Sequence, residues 1–256
     1  MRLFHAELLK IRTAPRTTLG LVLGLLLLVG AGSAAAASSA DSSPFAQEVA
    51  WRDVISVASI AAIFTLILGI LVVTWEYRHG TITQTYLATP RRERVIAAKY
   101  TASFLAGGVL TAIALALGIV LATFWISFDL ERGQWELAGR MVLGAALWGV
   151  FGAGLGAAMQ SQVGAIVTSF VWFLVAEPLL GLTIEALTDY SIGDYFPGGV
   201  LERLQDTGSG VEIGSEEVVT GPDYPYGLWA AALLAVAYAA ALAVLGLVSA
   251  VRRDVP

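Results

Sequence analysis

Six continuous apolar runs set the limits on what this chain can fold into. They extend from Thr17 to Ala37, Val54 to Trp75, Tyr100 to Phe124, Leu137 to Met159, Val163 to Leu187 and Gly227 to Val251. The hydrocarbon core of a bilayer is about 30 Å thick and takes about 20 apolar residues in a helix to cross. Each run is of that order. With 57% hydrophobic and only 14% charged residues among 256, the chain carries more apolar side chains than a soluble domain of this size can bury. The runs are Leu-, Ala- and Val-rich and lack the alternation of barrel strands, so the fold class is an all-α integral membrane protein with six transmembrane helices in one domain, residues 1–256. The first run also resembles a secretory signal ending in AGSAAAASSA, but its length and 16-residue charged lead suit a retained helix better.

Lys and Arg in short loops orient such a bundle. Arg2, Lys10, Arg12 and Arg16, then Arg78, Arg91, Arg92, Arg94 and Lys99, then Arg252 and Arg253 all fall on one side, eleven against the four of Arg52, Arg132, Arg140 and Arg203. Both termini are therefore expected in the cytoplasm. Trp51, Trp125, Trp135 and Trp229 fall at the opposite interface and Trp75 at the cytoplasmic one. The acidic residues lie mostly outside, which accounts for the net charge of -5.

Residues 1–14 place Leu3, Phe4, Leu8 and Ile11 on one face, with Arg2, Glu7, Lys10 and Arg12 elsewhere. This is the pattern of an interfacial helix, ended by Pro15. Only Gln160-Ser161-Gln162 separates the fourth and fifth runs, so these form a tight antiparallel hairpin. Glycines 152, 154 and 156, and the pair Gly20 and Gly24, are candidates for close helix packing. Residues 188–226 make an external acidic loop, with a short helix expected over Gly199 to Gln205 and a Gly/Ser/Glu-rich second half.

The most distinctive segment is the polar, basic loop 76–94, between the second and third runs. Gly80 permits a sharp break, Thr81 to Gln84 fits a helix-opening capping box, and Thr89-Pro90 stops the helix. Ile82, Tyr86 and Leu87 fall on one side of it. Arg91, Arg92, Arg94 and Lys99 are then expected beside anionic headgroups, anchoring the start of the third span.

Glu76, Gly80-Thr81, Leu87, Thr89-Pro90-Arg91-Arg92 and Lys99, in this order between two spans, resemble the cytoplasmic coupling loop of ABC-2 type transporter permeases. The amphipathic N-terminus, the run GAGLGAAMQSQVGAI and the ending RRDV resemble that family's elbow helix, its turn between the fourth and fifth spans and a common C-terminus. The resemblance implies a permease subunit of an ATP-driven exporter in the plasma (inner) membrane. Two copies, or this chain and a paralogue, would pair in the bilayer. Two ATPase subunits, which bind ATP and Mg, would grip the coupling helix through Glu76, Gly80, Thr81, Ile82, Gln84, Tyr86, Leu87 and Pro90. It also implies short helices capping the pathway on the outside.

The residues exclude several chemistries. There is no GxxxxGK[ST], so an ATPase site is expected in a partner and no enzyme activity or cofactor in this chain. There is no cysteine, and His5 and His79 both fall in cytoplasmic segments, which argues against a metal centre or intramembrane protease. Nucleic acid is not an expected partner. Glu177, followed by Pro178, is the one carboxylate well inside a run. It has two readings: a structural group, paired with Arg140 or hydrogen-bonded as the neutral acid, and a substrate or proton site. The few charges in the spans favour an apolar or amphipathic cargo such as a drug, lipid or peptide. Two alternatives stand beside the exporter: an ion- or proton-coupled secondary transporter, for which the halves show no inverted repeat, and a non-transporting membrane anchor or regulatory subunit.

Overall fold

The computed structural model describes residues 16–40, 43–89, 91–127, 132–188, 190–206 and 224–252. The expected elbow helix over 1–14 and the second half of the acidic loop lie outside them. All regular structure among the described residues is helical. Six helices are long and apolar enough to cross a membrane, with mean hydropathy between 1.7 and 2.7, and the chain is a multi-pass membrane protein.

The first span is α1 (Arg16–Ser38). The second is built in three pieces, α2 (Pro44–Ser56), a 3-10 turn (Val57–Ile60) and α3 (Ala61–Arg78). Ser43 caps α2, its hydroxyl accepting from the Ala46 amide at 3.2 Å, while Pro44 supplies a first residue that needs no donor. A short helix α4 (Ile82–Ala88) precedes the third span α5 (Arg92–Ala122), and the fourth is α6 (Arg132–Met159). The fifth consists of α7 (Gln162–Val171), a π-helical turn (Trp172–Ala176) and α8 (Glu177–Thr188). A 3-10 turn (Ile192–Tyr195) and α9 (Pro197–Gln205) follow, and α10 (Leu228–Arg252) is the last span. α9 meets the short helix expected over 199–205.

Several helices outrun their apolar stretches. α5 begins eight residues before the run at Tyr100, because a helix that emerges from lipid has no reason to stop at the headgroups. Its 31 residues span about 46 Å, well over the hydrocarbon thickness.

α6 is the axis of the bundle, packed against α3, α5 and α10. Its glycines make this possible by letting backbones touch. A β-carbon on Gly149 would stand 2.8 Å from the Ser103 carbonyl oxygen of α5, one on Gly154 would reach 2.6 Å from the Leu242 carbonyl carbon of α10, and Gly152 lies against Leu66 of α3. Gly20 and Gly24 share the same spacing signal but do not serve it. Gly20 has nothing within 4 Å of a built β-carbon and Gly24 meets only the Phe64 ring.

The hairpin between the fourth and fifth spans turns at Gln160, which takes a left-handed φ of 54° and donates its amide to the Gly156 carbonyl at 2.8 Å. Ser161 then caps α7, accepting from the Gly164 amide at 3.2 Å. One end of the bundle, the basic end, holds this turn, α4 and the end of α10, and the opposite, acidic end holds α9.

Candidate functional site

α3 ends in a hydrogen-bonded stop that places everything after it. His79 is its C-cap and Gly80 follows with φ 67°, a conformation that costs glycine little. The Thr81 amide donates to the Glu76 carbonyl at 3.0 Å and the Gly80 amide to Tyr77 at 3.4 Å, the two bonds of a Schellman motif. The sharp break expected at Gly80 is this motif.

The motif also explains why the expected capping box is absent. Closing it holds Thr81 at φ -83°, ψ -9°, and its hydroxyl caps nothing. A capping side chain needs extended backbone at that position. The Thr81 carbonyl instead receives the Thr85 amide at 3.2 Å. At the far end Thr89 is extended, at φ -137° and ψ 93°, as the residue before a proline must be.

The apolar face predicted for α4 splits in two. Ile82 is 2% exposed and packs against Val95 of α5 and Tyr77 of α3, so it belongs to this chain's own core and is not open to a partner. Leu87 is 79% exposed. Five residues of helix turn the side chain by about 140°, which carries Leu87 away from the face that Ile82 buries. Gln84 is exposed. Pro90 and the Tyr86 side chain lie outside the described residues.

Glu76 and Lys99 form the buried centre of this end. Their side chains are 6% and 1% exposed, the Lys99 Nζ lies 3.1 Å from Glu76 Oε1, and it also donates to the Val72 carbonyl at 3.3 Å. This corrects the expectation of Lys99 at the headgroups. α5 has already run two turns from Arg92 when it reaches position 99, and there its side chain points at α3. Arg91 and Arg94 are exposed and Arg92 half-buried at the start of α5. Arg78 reaches across to the hairpin turn, donating to Gln162 Oε1 at 3.2 Å, so loop and turn are tied together.

At the acidic end the structure separates the pair considered for Glu177. Arg140 donates to the Asp206 carbonyl at 3.3 Å, beside the ion pair of Arg203 and Asp206 at 3.0 Å. Glu177 is 8% exposed and accepts from the Gly199 amide at 3.1 Å, at the amino end of α9. Unpaired helix amides and the helix dipole favour a carboxylate there, so backbone replaces the guanidinium as its partner. The signal in the sequence was Phe196-Pro197-Gly198-Gly199, a proline that starts a helix followed by two residues small enough to admit a carboxylate. No group of three or more His, Cys, Asp or Glu side chains suited to a metal occurs among the described residues.

No protein-family model matches the chain, and no curated protein matches it.

Proposed function

We propose that this chain is the membrane subunit of an ABC-2 type exporter, with both termini in the cytoplasm of a cell whose plasma membrane it crosses six times. The reading is carried by one observation. An exposed apolar residue, Leu87, is mounted on a short helix that is seated on two spans at once, through Ile82 against Val95 and Tyr77, and those spans are tied to each other by the Glu76 to Lys99 pair. Through that buried anchor the helix follows the movement of α3 and α5. Force applied at Leu87 is passed to the spans rather than absorbed by a flexible loop.

In this reading an ATPase subunit presents an apolar groove to Leu87, two such subunits serve a pair of permeases, and ATP-driven closure rocks the spans to release an apolar or amphipathic cargo. ATP and Mg belong to the partner. The test is copurification with the P-loop ATPase encoded nearest to this chain's gene, comparing wild type with Leu87→Asp. Loss of the complex in the variant, with unchanged membrane insertion, supports the exporter. Full retention of both complex and substrate-stimulated hydrolysis would remove its main support.

A further inference from the structure

The outer half of the fifth span is attached to the molecule differently from the rest. The cap of residues 190–206 is firmly seated: Val200 and Leu204 of α9 are buried with Leu147 of α6 and Ala231, Ala235 and Ala239 of α10. Tyr226 and Tyr238 donate to the carbonyls of Asp194 and Tyr195, the second at 2.7 Å. α8, in contrast, has its principal contacts only with its own π-turn and with the 3-10 turn of that cap.

At its base the Glu177 amide donates to the Trp172 carbonyl, a wide i to i-5 turn just before Pro178, which has no amide to give and whose ring crowds the Leu174 carbonyl. One turn further on, α8 passes the cap glycine to glycine: a β-carbon on Gly181 would lie 3.5 Å from the Gly193 α-carbon. Two smooth backbones in contact give little interlock. What fixes α8 to the cap is the Glu177 carboxylate on the α9 amides, and Gly198 is packed so tightly against it that any β-carbon would collide with Oε1.

We infer that α8 is an arm hinged at the π-turn Trp172–Ala176, that Glu177 is the positioning residue latching it to the cap, and that release of this latch opens the cargo exit at the acidic end. The last clause rests on the exporter reading, whereas the hinge and latch do not. The role assigned to Glu177 is to hold one conformer in place.

The full-length chain in lipid nanodiscs tests the latch directly, since it has no native cysteine. Spin labels on Leu182→Cys in the arm and Trp229→Cys at the start of α10, both at exposed positions, should give one dominant distance with Glu177 intact. Losing one buried hydrogen bond shifts such an equilibrium by about tenfold, so Glu177→Ala should raise a second distance by that factor. Gly198→Ala should act in the same direction by crowding the carboxyl group while leaving residue 177 unaltered, and Glu177→Gln, which keeps an acceptor, should recover most of the single distance. One unchanged distance in all three variants overturns the latch.

For the exit, Gly181→Cys with Gly193→Cys, carrying no spin labels, is oxidised to a disulfide in the complex with the ATPase. Hydrolysis of ATP should fall about tenfold, the effect of removing a step every cycle must pass, and return on reduction. Undiminished hydrolysis with the arm fully cross-linked overturns the exit role. A chain that binds no ATPase yet shows the second distance in Glu177→Ala overturns the exporter and the exit while confirming the latch.

Discussion

A lysine sealed between two helices is tolerated there because a carboxylate lies against it. Lys99→Met would leave the Glu76 carboxylate buried without its ammonium, an uncompensated charge that costs about 3–5 kcal/mol. Replacing both, Glu76→Leu with Lys99→Met, should return most of that, because an apolar pair of similar volume needs no solvation. Thermal unfolding of the single and double variants in one detergent checks this; a double variant no better than the single would mean that the pair is not the stabilising unit. At the opposite end, burial pushes the Tyr224 and Tyr226 phenols up to about 12, with Glu202 and Asp194 as the next contributions. Their folded values lie above the ordinary 10.0, so the stability they lend is complete below pH 10 and is lost as pH rises from there toward 12. Ultraviolet titration of tyrosinate should show these two ionising late, and Tyr226→Phe should remove one of the late phases. None of this pairing was legible from the sequence. Which side of α5 position 99 faces depends on helix rotation, and although Phe196-Pro197-Gly198-Gly199 marks a helix start that admits a carboxylate, which carboxylate it meets depends on loop placement, which one chain's residue pattern does not encode.

The helices themselves were legible, because lipid imposes a length and an apolar composition that soluble helices do not share. Their ends were less so. The start of α5 at Arg92 and of α2 at Pro44 lies in polar sequence, where only caps and prolines mark a boundary. In the loop after α3 the described residues show a break at Gly80 and a short helix over Ile82–Ala88, yet its first cap comes from backbone and not from Thr81, and Ile82 turns inward. These differences sharpen the mutational expectation. Leu87→Asp changes an exposed position and should alter stability by no more than about 0.5 kcal/mol, while removing an apolar anchor worth on the order of 2 kcal/mol in partner binding. Ile82→Asp should do the reverse in order of cause: it puts a carboxylate against Val95 and Tyr77, loosens α4 from the spans and lowers the unfolding temperature before any partner is added. Measuring stability and complex yield for both variants separates the two roles. If Ile82→Asp is as stable as wild type and only partner binding suffers, the buried face has been assigned to the wrong side.

At the scale of the whole molecule, the expected orientation follows from charge and the fold from close packing, and the two are independent. Glycines at 149, 152 and 154 determine which helices meet, and would do so whichever way the bundle lay in the membrane. The direction rests on eleven basic residues against four, since short loops rich in Lys and Arg resist translocation. The structure adds a constraint that the charges alone lack. Arg78 is bonded to Gln162, so loop 79–91 and the 160–162 turn lie together at one end, and any orientation must put them on the same side. Single cysteines at positions 45, 90, 161 and 210, introduced into a chain that has none, should therefore divide two and two. Positions 90 and 161 are expected to be protected from an impermeant maleimide in intact cells, and 45 and 210 to react with it. Labelling of 90 together with 161, with 45 and 210 protected, would invert the molecule, place Leu87 outside and leave an ATP-driven partner no access to it. Labelling of 90 without 161 would contradict the bundle itself, because the Arg78 to Gln162 contact does not span a bilayer.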